Sequence, residues 1–543
     1  MRWLAPFTSI ALLVLTACQP AAVPPTPVPP QPTVAPPTVA PPTVAPTAPP
    51  KPTAAPPTAV PTVAPTATAA PQATGKLTID VETDLDSLDP YLSYTPTGLS
   101  IHHNIYDYLL ERDVNGDLVP GLAESWKAVN DTTLEFKLRR GVKFHSGDEV
   151  TAAAVKFSAD RILDEKLNSG VRSRFMSIKT VTVVDPATVR FELSRPDASL
   201  LDTLTNQMAI LPPSFSDTKP VGSGPYRFTE WVRGDHLTLE ANDGYWSGSA
   251  KGRPLAKTVA FRPVPSAATR VADLQSGQAD IVAGLSATQA KALESSGGGA
   301  RVERADLPGY QYVFFNTKLA DTPLKDAKVR QALNYAIDRR SIVENLMGNY
   351  TKALTQAVGP LTSGSDPSLT GFPYDVAKAK QLLGEAGVGS GFEVSLDVSQ
   401  RDLDDVVQAV AAQLGQVGVK VNIQSLEPGA FNDKWLAKGM DGLYFVRWNN
   451  FSDPGTLGLL ATCQGFLSFF CSPSADTFVS QGEATLDDAA RAKAYQQALR
   501  AWNDDPFAIY LTTLSALYGV SDRVSNWKPS AAGYLYATEA RLR

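Results

Sequence analysis

Apolar and polar residues alternate through Lys76-Leu77-Thr78-Ile79-Asp80-Val81, the two-residue period of a half-buried strand. Asp86-Ser87-Leu88-Asp89-Pro90 breaks that period with turn-forming residues, and a helix is predicted over about 98–110. Strands are predicted at 133–138, 180–184, 188–193, 226–230 and 237–241, with Asp185-Pro186-Ala187-Thr188 as a hairpin turn. Farther on, helical periods at 266–276, 326–345, 375–386, 403–414 and 485–504 interleave with strands at 259–262, 311–316, 393–397 and 420–425. Strands alternating with helices predict α/β lobes. Thr151, before Ala152-Ala153-Ala154-Val155, is placed to cap a helix start. Gly387 is placed as a left-handed helix end.

Residues 1–75 lack this patterning. Met1 and Arg2 give a positive start, and an apolar run follows at 10–15, as in a secretory signal. The run is shorter than the roughly 20 residues that span a bilayer. Leu15-Thr16-Ala17-Cys18 resembles the bacterial lipobox, in which the Cys becomes the first mature residue and carries lipid. An ordinary signal with an incidental Cys is the alternative. Residues 19–75 are almost wholly Pro, Ala, Thr and Val, with Lys51 the only charge. Such a segment buries too little apolar surface to offset its ordering entropy. It is expected to be a disordered stalk, extended at roughly 3.1 Å per residue where polyproline II forms. An inert spacer is compatible with that role.

The remainder of the 543 residues is too long for a single core, so two or more lobes are expected. No apolar run after Cys18 is long enough for a membrane span, which leaves the lipid as the expected membrane attachment. The net charge of −6 and the lack of a basic patch with interleaved aromatics argue against a nucleic-acid partner. Besides Cys18 the chain has only Cys463 and Cys471. Outside the cytoplasm a local disulfide is expected, with two buried thiols as the alternative.

Motifs for catalysis are missing. Gly222-Ser223-Gly224-Pro225 lacks the Lys and following helix of a phosphate loop. No Gly-x-Ser-x-Gly elbow occurs. His102 and His103 are adjacent and diverge on a helix, a poor chelate. No enzyme activity, cofactor or metal is expected.

A series of blocks carries a family resemblance. Pro120-Gly121-Leu122-Ala123-Glu124-Ser125-Trp126 is followed by Leu134 to Asp148, including Arg140-Gly141-Val142-Lys143-Phe144-His145, and then by Thr151 to Val155. Gly222 to Tyr226, Asn242-Asp243-Gly244-Tyr245-Trp246, Phe315-Asn316-Thr317 and Val329 to Arg339 continue the series in order. Together they resemble the peptide/nickel-type extracellular solute-binding proteins, family 5. Each block also has a packing reading: Val329, Leu333, Ala336 and Ile337 share a helix face. Trp126, Phe136, Phe144 and Val155 are expected in the core, and Gly222 and Gly224 in a tight turn.

The resemblance implies a two-lobed α/β periplasmic-binding-protein fold, class II-like, with an extra subdomain in the first lobe. The first lobe would be 76–110, 210–308 and 508–543, the inserted subdomain 111–209, and the second lobe 309–507. A monomer of this kind would shut on a peptide or similar polar solute outside the cytoplasmic membrane or in the periplasm. It would pass that solute to the permease and ATPase subunits of an ABC importer. A solute-sensing surface lipoprotein, an oligosaccharide or metal-complex binder, and a tethered hydrolase are the alternatives.

The expected pocket stretch is Gly442 to Pro454, with Arg447, Trp448, Asn449, Asn450 and Asp453 as candidates. In peptide-binding members an Asp three residues after the Trp anchors the α-amino group. A buried ammonium needs such a partner. Here that place holds Asn450 or Phe451. Either Asp453 takes over the anchor or the solute lacks a free α-amine; Asp453 also reads as a turn or cap residue. Trp448 also reads as a core residue, and Arg447 as either a carboxylate partner or a salt-bridge residue. Tyr94 is expected to offer an aromatic face.

Overall fold

A computed structural model describes residues 73–543, apart from Tyr94, Val114 and 450–452. The signal and most of the stalk therefore lie outside the described residues, as do Cys18, Tyr94 and Asn450. No helix among the described residues is long and apolar enough to cross a membrane.

Two long strands, Ala300–Phe315 and Ala508–Ser521, form the middle of a ten-stranded sheet. They run antiparallel from Ala300 opposite Ser521 to Phe314 opposite Ala508. On one flank lie Ile281–Val282, Lys76–Val81, Thr258–Pro263, His236–Ala241 and Tyr226–Val232. On the other lie Gly442–Trp448, Phe392–Ser399 and Val419–Leu426. Each flank contains parallel pairs: Lys76–Val81 with Thr258–Pro263, and Phe392–Ser399 with Val419–Leu426. Helices cover these strands, and their facing side chains make the cores.

The two long strands pass between separate cores. Ala305, Tyr518 and Val520 pack in the first lobe with Leu77, Ile79 and Val259. Tyr310, Tyr312, Phe314, Ala508 and Tyr510 pack in a second-lobe core. Val313, Phe315, Ile509 and Leu511 fill another core on the opposite sheet face, against the helices Ala327–Tyr335 and Asp405–Gly415. The strand register slips between Leu307 and Tyr310, so Pro308-Gly309 sits as an irregularity between the lobes. Gly309 is required there, because an added Cβ would lie 2.8 Å from the Trp448 carbonyl.

Ala123–Asn130, Thr133–Leu138, Thr188–Leu193 and Ile178–Asp185 form a separate antiparallel sheet, in that order. The helix Ala152–Leu163 packs over it. Thr151 occupies the N-cap of that helix, but its side chain makes no capping bond. Phe136, Phe144 and Val155 are in the core, whereas Trp126 is only half-buried beside it. Gly222 and Gly224 serve close approach rather than the tight turn expected: a Cβ at Gly222 would fall 1.8 Å from the Ile105 carbonyl oxygen. Gly224 N–H bonds that same oxygen at 2.9 Å.

The helix predicted over 326–345 is broken. Ala327–Tyr335 stops, Arg339–Ser341 restarts, and a wider turn follows at Ile342–Leu346. Asp338 caps the restart by accepting the Ser341 N–H at 3.0 Å. The buried Arg339 guanidinium donates to the carbonyls left at the break, Asn334 at 2.9 Å and Ile337 at 3.2 Å. Side-chain donors thus replace helical ones.

The first lobe also buries a cation. Lys251 Nζ donates to the His103 and Tyr106 carbonyls at 3.1 and 2.7 Å and to Asp107 at 2.7 Å. Burial pushes the Asp107 carboxyl up, but the Lys251 ammonium and the Trp246 and Tyr245 donors outweigh it and hold it below its ordinary value. Burial drives Glu111, 4.0 Å from Lys251, up to about 7. Lys251→Met would leave two buried carboxylates without their cation. It is expected to cost about 3–5 kcal/mol of stability, read from denaturant unfolding at pH 7; a loss under 1 kcal/mol would contradict this account. Glu111 holds its proton more tightly folded than unfolded, so its contribution to stability falls as pH rises from about 4.5 to about 7. Stability measured across that window should lose this slope in Glu111→Gln.

Candidate functional site

The space between the lobes is a crevice of about 870 Å³, large enough for a small solute. Leu307, Pro308 and Ser515 to Tyr518 of the crossing strands form its floor. First-lobe side chains on its wall come from three helix starts: Thr97 and Ser100, Ala267 and Arg270, and Ser286 with Gln289. Tyr534 and Leu535 come from the chain's return into that lobe. The second lobe supplies Arg401, Asp404, Arg447 and Asn449.

Most charged groups on these walls already have partners. Arg270 is 2% exposed and donates to the carbonyls of Ala283, Val264, Pro265 and Gly284 at 2.7–3.0 Å. It ties two loops together, with Glu82 at 3.8 Å. Ser286 and Gln289 form a capping box that starts the helix Ala287–Ser295. Arg447 bonds Asp402 Oδ1 at 3.0 Å and also pairs with Asp404. Asp404 in turn caps the helix Asp405–Gly415 by accepting the Val406 and Val407 N–H groups. Arg447 therefore lines the crevice as a clamped salt-bridge residue. Arg401 differs: among the described residues its guanidinium has no hydrogen-bond or ion-pair partner.

The other candidates separate in space. Asn449 is exposed on the crevice wall. Trp448 is half-buried against the second-lobe core, its ring edge-on to Trp435 at 5.8 Å. Asp453 is buried, away from the crevice-lining residues. It caps the turn Pro454–Leu457 by accepting the Gly455 N–H at 2.8 Å, and Arg491 Nε lies 3.3 Å from it. Burial raises its carboxyl pKa, while Gly455, Arg491 and the Tyr495 hydroxyl pull it back. This is the turn-and-cap role, so an ammonium would have to compete there with Arg491.

Arg195 and Asp197, which follow the separate four-stranded sheet, lie near Glu483. Burial pushes the Glu483 carboxyl up to about 7, opposed by Arg195 and reinforced by Asp197 and Asp453. Leu486 of the second lobe packs against the first-lobe core. Cys463 and Cys471 are joined in a disulfide. Among the described residues no cluster of three or more His, Cys, Asp or Glu is placed to hold a metal. His102 and His103 are buried, and burial lowers both imidazole pKa values.

Arg401, Arg270, Ser286 and Tyr534 were not singled out by sequence. They stand far apart along the chain, and no local spacing marks them as neighbours.

Comparison with known proteins agrees with this architecture. Residues 117–465 match the family described as bacterial extracellular solute-binding proteins, family 5 Middle. The glutathione-binding protein GsiB of Pectobacterium atrosepticum is 32% identical over 461 residues, covering 80% of this chain and 88% of that protein. The oligopeptide-binding protein AppA of Bacillus subtilis, solved with a nonapeptide, superposes with a TM-score of 0.71 at 25% identity, covering 87% of this chain and 100% of that one. The ABC transporter substrate-binding protein CtaP of Listeria monocytogenes shares the fold with a TM-score of 0.77 at 23% identity, covering 87% of this chain and 100% of that one. Two lobes joined by crossing strands, an open crevice between them and a match over most of the chain lead to one assignment: this chain belongs to family 5 of the bacterial extracellular solute-binding proteins, extracytoplasmic, non-enzymatic binding components of ABC importers.

Proposed function

We propose that the solute is a short carboxylate-bearing peptide of the glutathione class. The observation that carries this reading is Arg401, a guanidinium on the crevice wall that has no hydrogen-bond or ion-pair partner among the described residues. An unpaired arginine is matched by a carboxylate, whose two oxygens fit its fork of donors. The similarity to glutathione-binding GsiB supports the same class. Glu82, the exposed carboxylate on the opposite wall, is the group assigned to the solute's amine. Asp453 is left as a cap, because Arg491 and Gly455 already satisfy it.

Binding shuts the lobes, assigned as 76–110, 210–308 and 508–543 with the insert 111–209, and as 309–507. Closure follows because a solute touching both walls has more contacts when the crevice is shut. The slipped register at Leu307–Tyr310 supports a hinge there. Cys18 is assigned as the lipid-bearing residue and 19–75 as the stalk, supported by Leu15-Thr16-Ala17-Cys18 and the Pro-rich composition that follows.

Thermal unfolding with glutathione and short peptides tests the solute class. At 100 times the dissociation constant a true ligand stabilises by about 2.7 kcal/mol; no shift with any peptide ends this reading. Calorimetric titration should show Asp453→Asn retaining glutathione affinity within about threefold, while Glu82→Gln weakens it by roughly 10–100-fold. Loss of binding in Asp453→Asn would return the amine to Asp453. In the native host, Cys18→Ala should move the chain from the membrane pellet to the soluble fraction; persistence in the pellet would count against lipidation.

A further inference from the structure

We infer that the loop closed by the Cys463–Cys471 disulfide carries a docking surface for a membrane that contains anionic lipid. Phe466, inside that loop, is 66% exposed, the most exposed large apolar side chain among the described residues. Leu459, whose carbonyl accepts the Leu467 N–H at 2.9 Å, is 46% exposed on the neighbouring segment. Leu436, 53% exposed, ends the helix Pro428–Leu436. Trp435 before it donates its indole N–H to the Leu467 carbonyl at 3.3 Å. The disulfide and the buried Phe469 and Phe470 hold the loop in place, so Phe466 is presented outward on a fixed support.

Two cations stand at this patch. Lys318 and Lys438 converge on one acceptor, the Ser468 carbonyl, at 3.0 and 3.4 Å. Lys438 also donates to the Phe466 carbonyl, and its ammonium lies 5.7 Å from the Phe466 ring centre. Both lysines are exposed, and neither has a carboxylate partner among the described residues. Lys434, by contrast, is neutralised by Asp397 at 2.8 Å and Asp441 at 2.6 Å. Lys438 takes the left-handed position after the helix, φ +61°, where glycine is the usual residue and a lysine costs strain. The whole chain carries a net charge of −6, so an anionic surface repels most of it and is complementary to this local pair. Exposed aromatic and aliphatic side chains beside lysines suit the lipid headgroup boundary, where rings sink and ammoniums meet phosphates. Three apolar side chains make too small a face for a stable protein interface, which buries roughly 800 Å² per partner. A weak contact suffices at a membrane: on the assignment of Cys18 as lipid-bearing, the tether supplies the proximity and the patch orients the chain. Such a contact does not hold the chain alone, in keeping with the release expected of Cys18→Ala.

The test is sedimentation of the full chain carrying Cys18→Ala with vesicles of phosphatidylglycerol and phosphatidylcholine, and with phosphatidylcholine alone. At low salt the anionic vesicles should take up the chain roughly 10–30-fold better, and salt at about 0.5 M should erase the difference. Lys318→Gln and Lys438→Gln should each weaken anionic-vesicle binding by roughly 3–10-fold, and Phe466→Ser by roughly 10-fold. Melting of Phe466→Ser should match the parent chain, since the ring is mostly in water. Glutathione affinity should not change in any of the three, because none of these residues lines the crevice; a failure of the solute reading therefore leaves this surface standing. Equal uptake by both vesicles overturns the inference and leaves the patch to a protein partner. Retained binding in Phe466→Ser places the contact elsewhere on the chain and also overturns it.

Discussion

Antiparallel pairing of Ala300–Phe315 with Ala508–Ser521 is the constraint on which the rest of the molecule depends. Each strand is hydrogen-bonded to the other along most of its length, so the lobes cannot separate without breaking a continuous ladder. Each strand also enters separate cores at its two ends. Of the two register slips along this pair, the one between Leu307 and Tyr310 falls where the strands pass from one lobe's core to the other's. The floor of the crevice lies there. Fold and site therefore share an origin: two cores that each close on themselves and one bridge that belongs to both.

Charge is distributed with the same economy. Lys251, Arg270 and Arg339 are buried, and each is matched by carbonyls or carboxylates arranged around it. A buried charge without such partners would be intolerable. Along the crevice the rule relaxes. Arg447 is clamped by two aspartates, one of which also caps a helix, whereas Arg401 is exposed and has no partner among the described residues. An unmatched cation is affordable only where water or a ligand can reach it. Its position therefore separates groups that hold the protein together from groups available to a solute.

The site was less legible than the fold for the same physical reason. The stretch around Trp448 and Asp453 stands out by composition, and it does reach the crevice through Arg447 and Asn449. Asp453 nonetheless turns inward, because a carboxylate two residues before Gly455 can cap the next turn and finds Arg491 beside it. Nothing in a linear sequence tells a capping aspartate from a ligand-anchoring one. The broken helix after Tyr335 shows the same limit. Its apolar face continues to Ile337, but the break is held by partners distant in sequence: Gln413 Oε1 accepts the Asp338 N–H, and Arg339 donates to the Phe372 carbonyl.

By itself the sequence determined the elements whose signals are local. These include the hairpin around Asp185-Pro186, the strands Lys76–Val81 and Thr133–Leu138, the helices Ala267–Ser276 and Val376–Glu385, and the family blocks. Each depends on spacing or turn chemistry within about ten residues. Only the tertiary structure decided the full reach of the crossing strands, which are buried on both faces in their second-lobe halves and so lack alternation there. It alone decided which arginines are spent and which are free. Pairing across hundreds of residues is a property of the packed chain, and no local period encodes it.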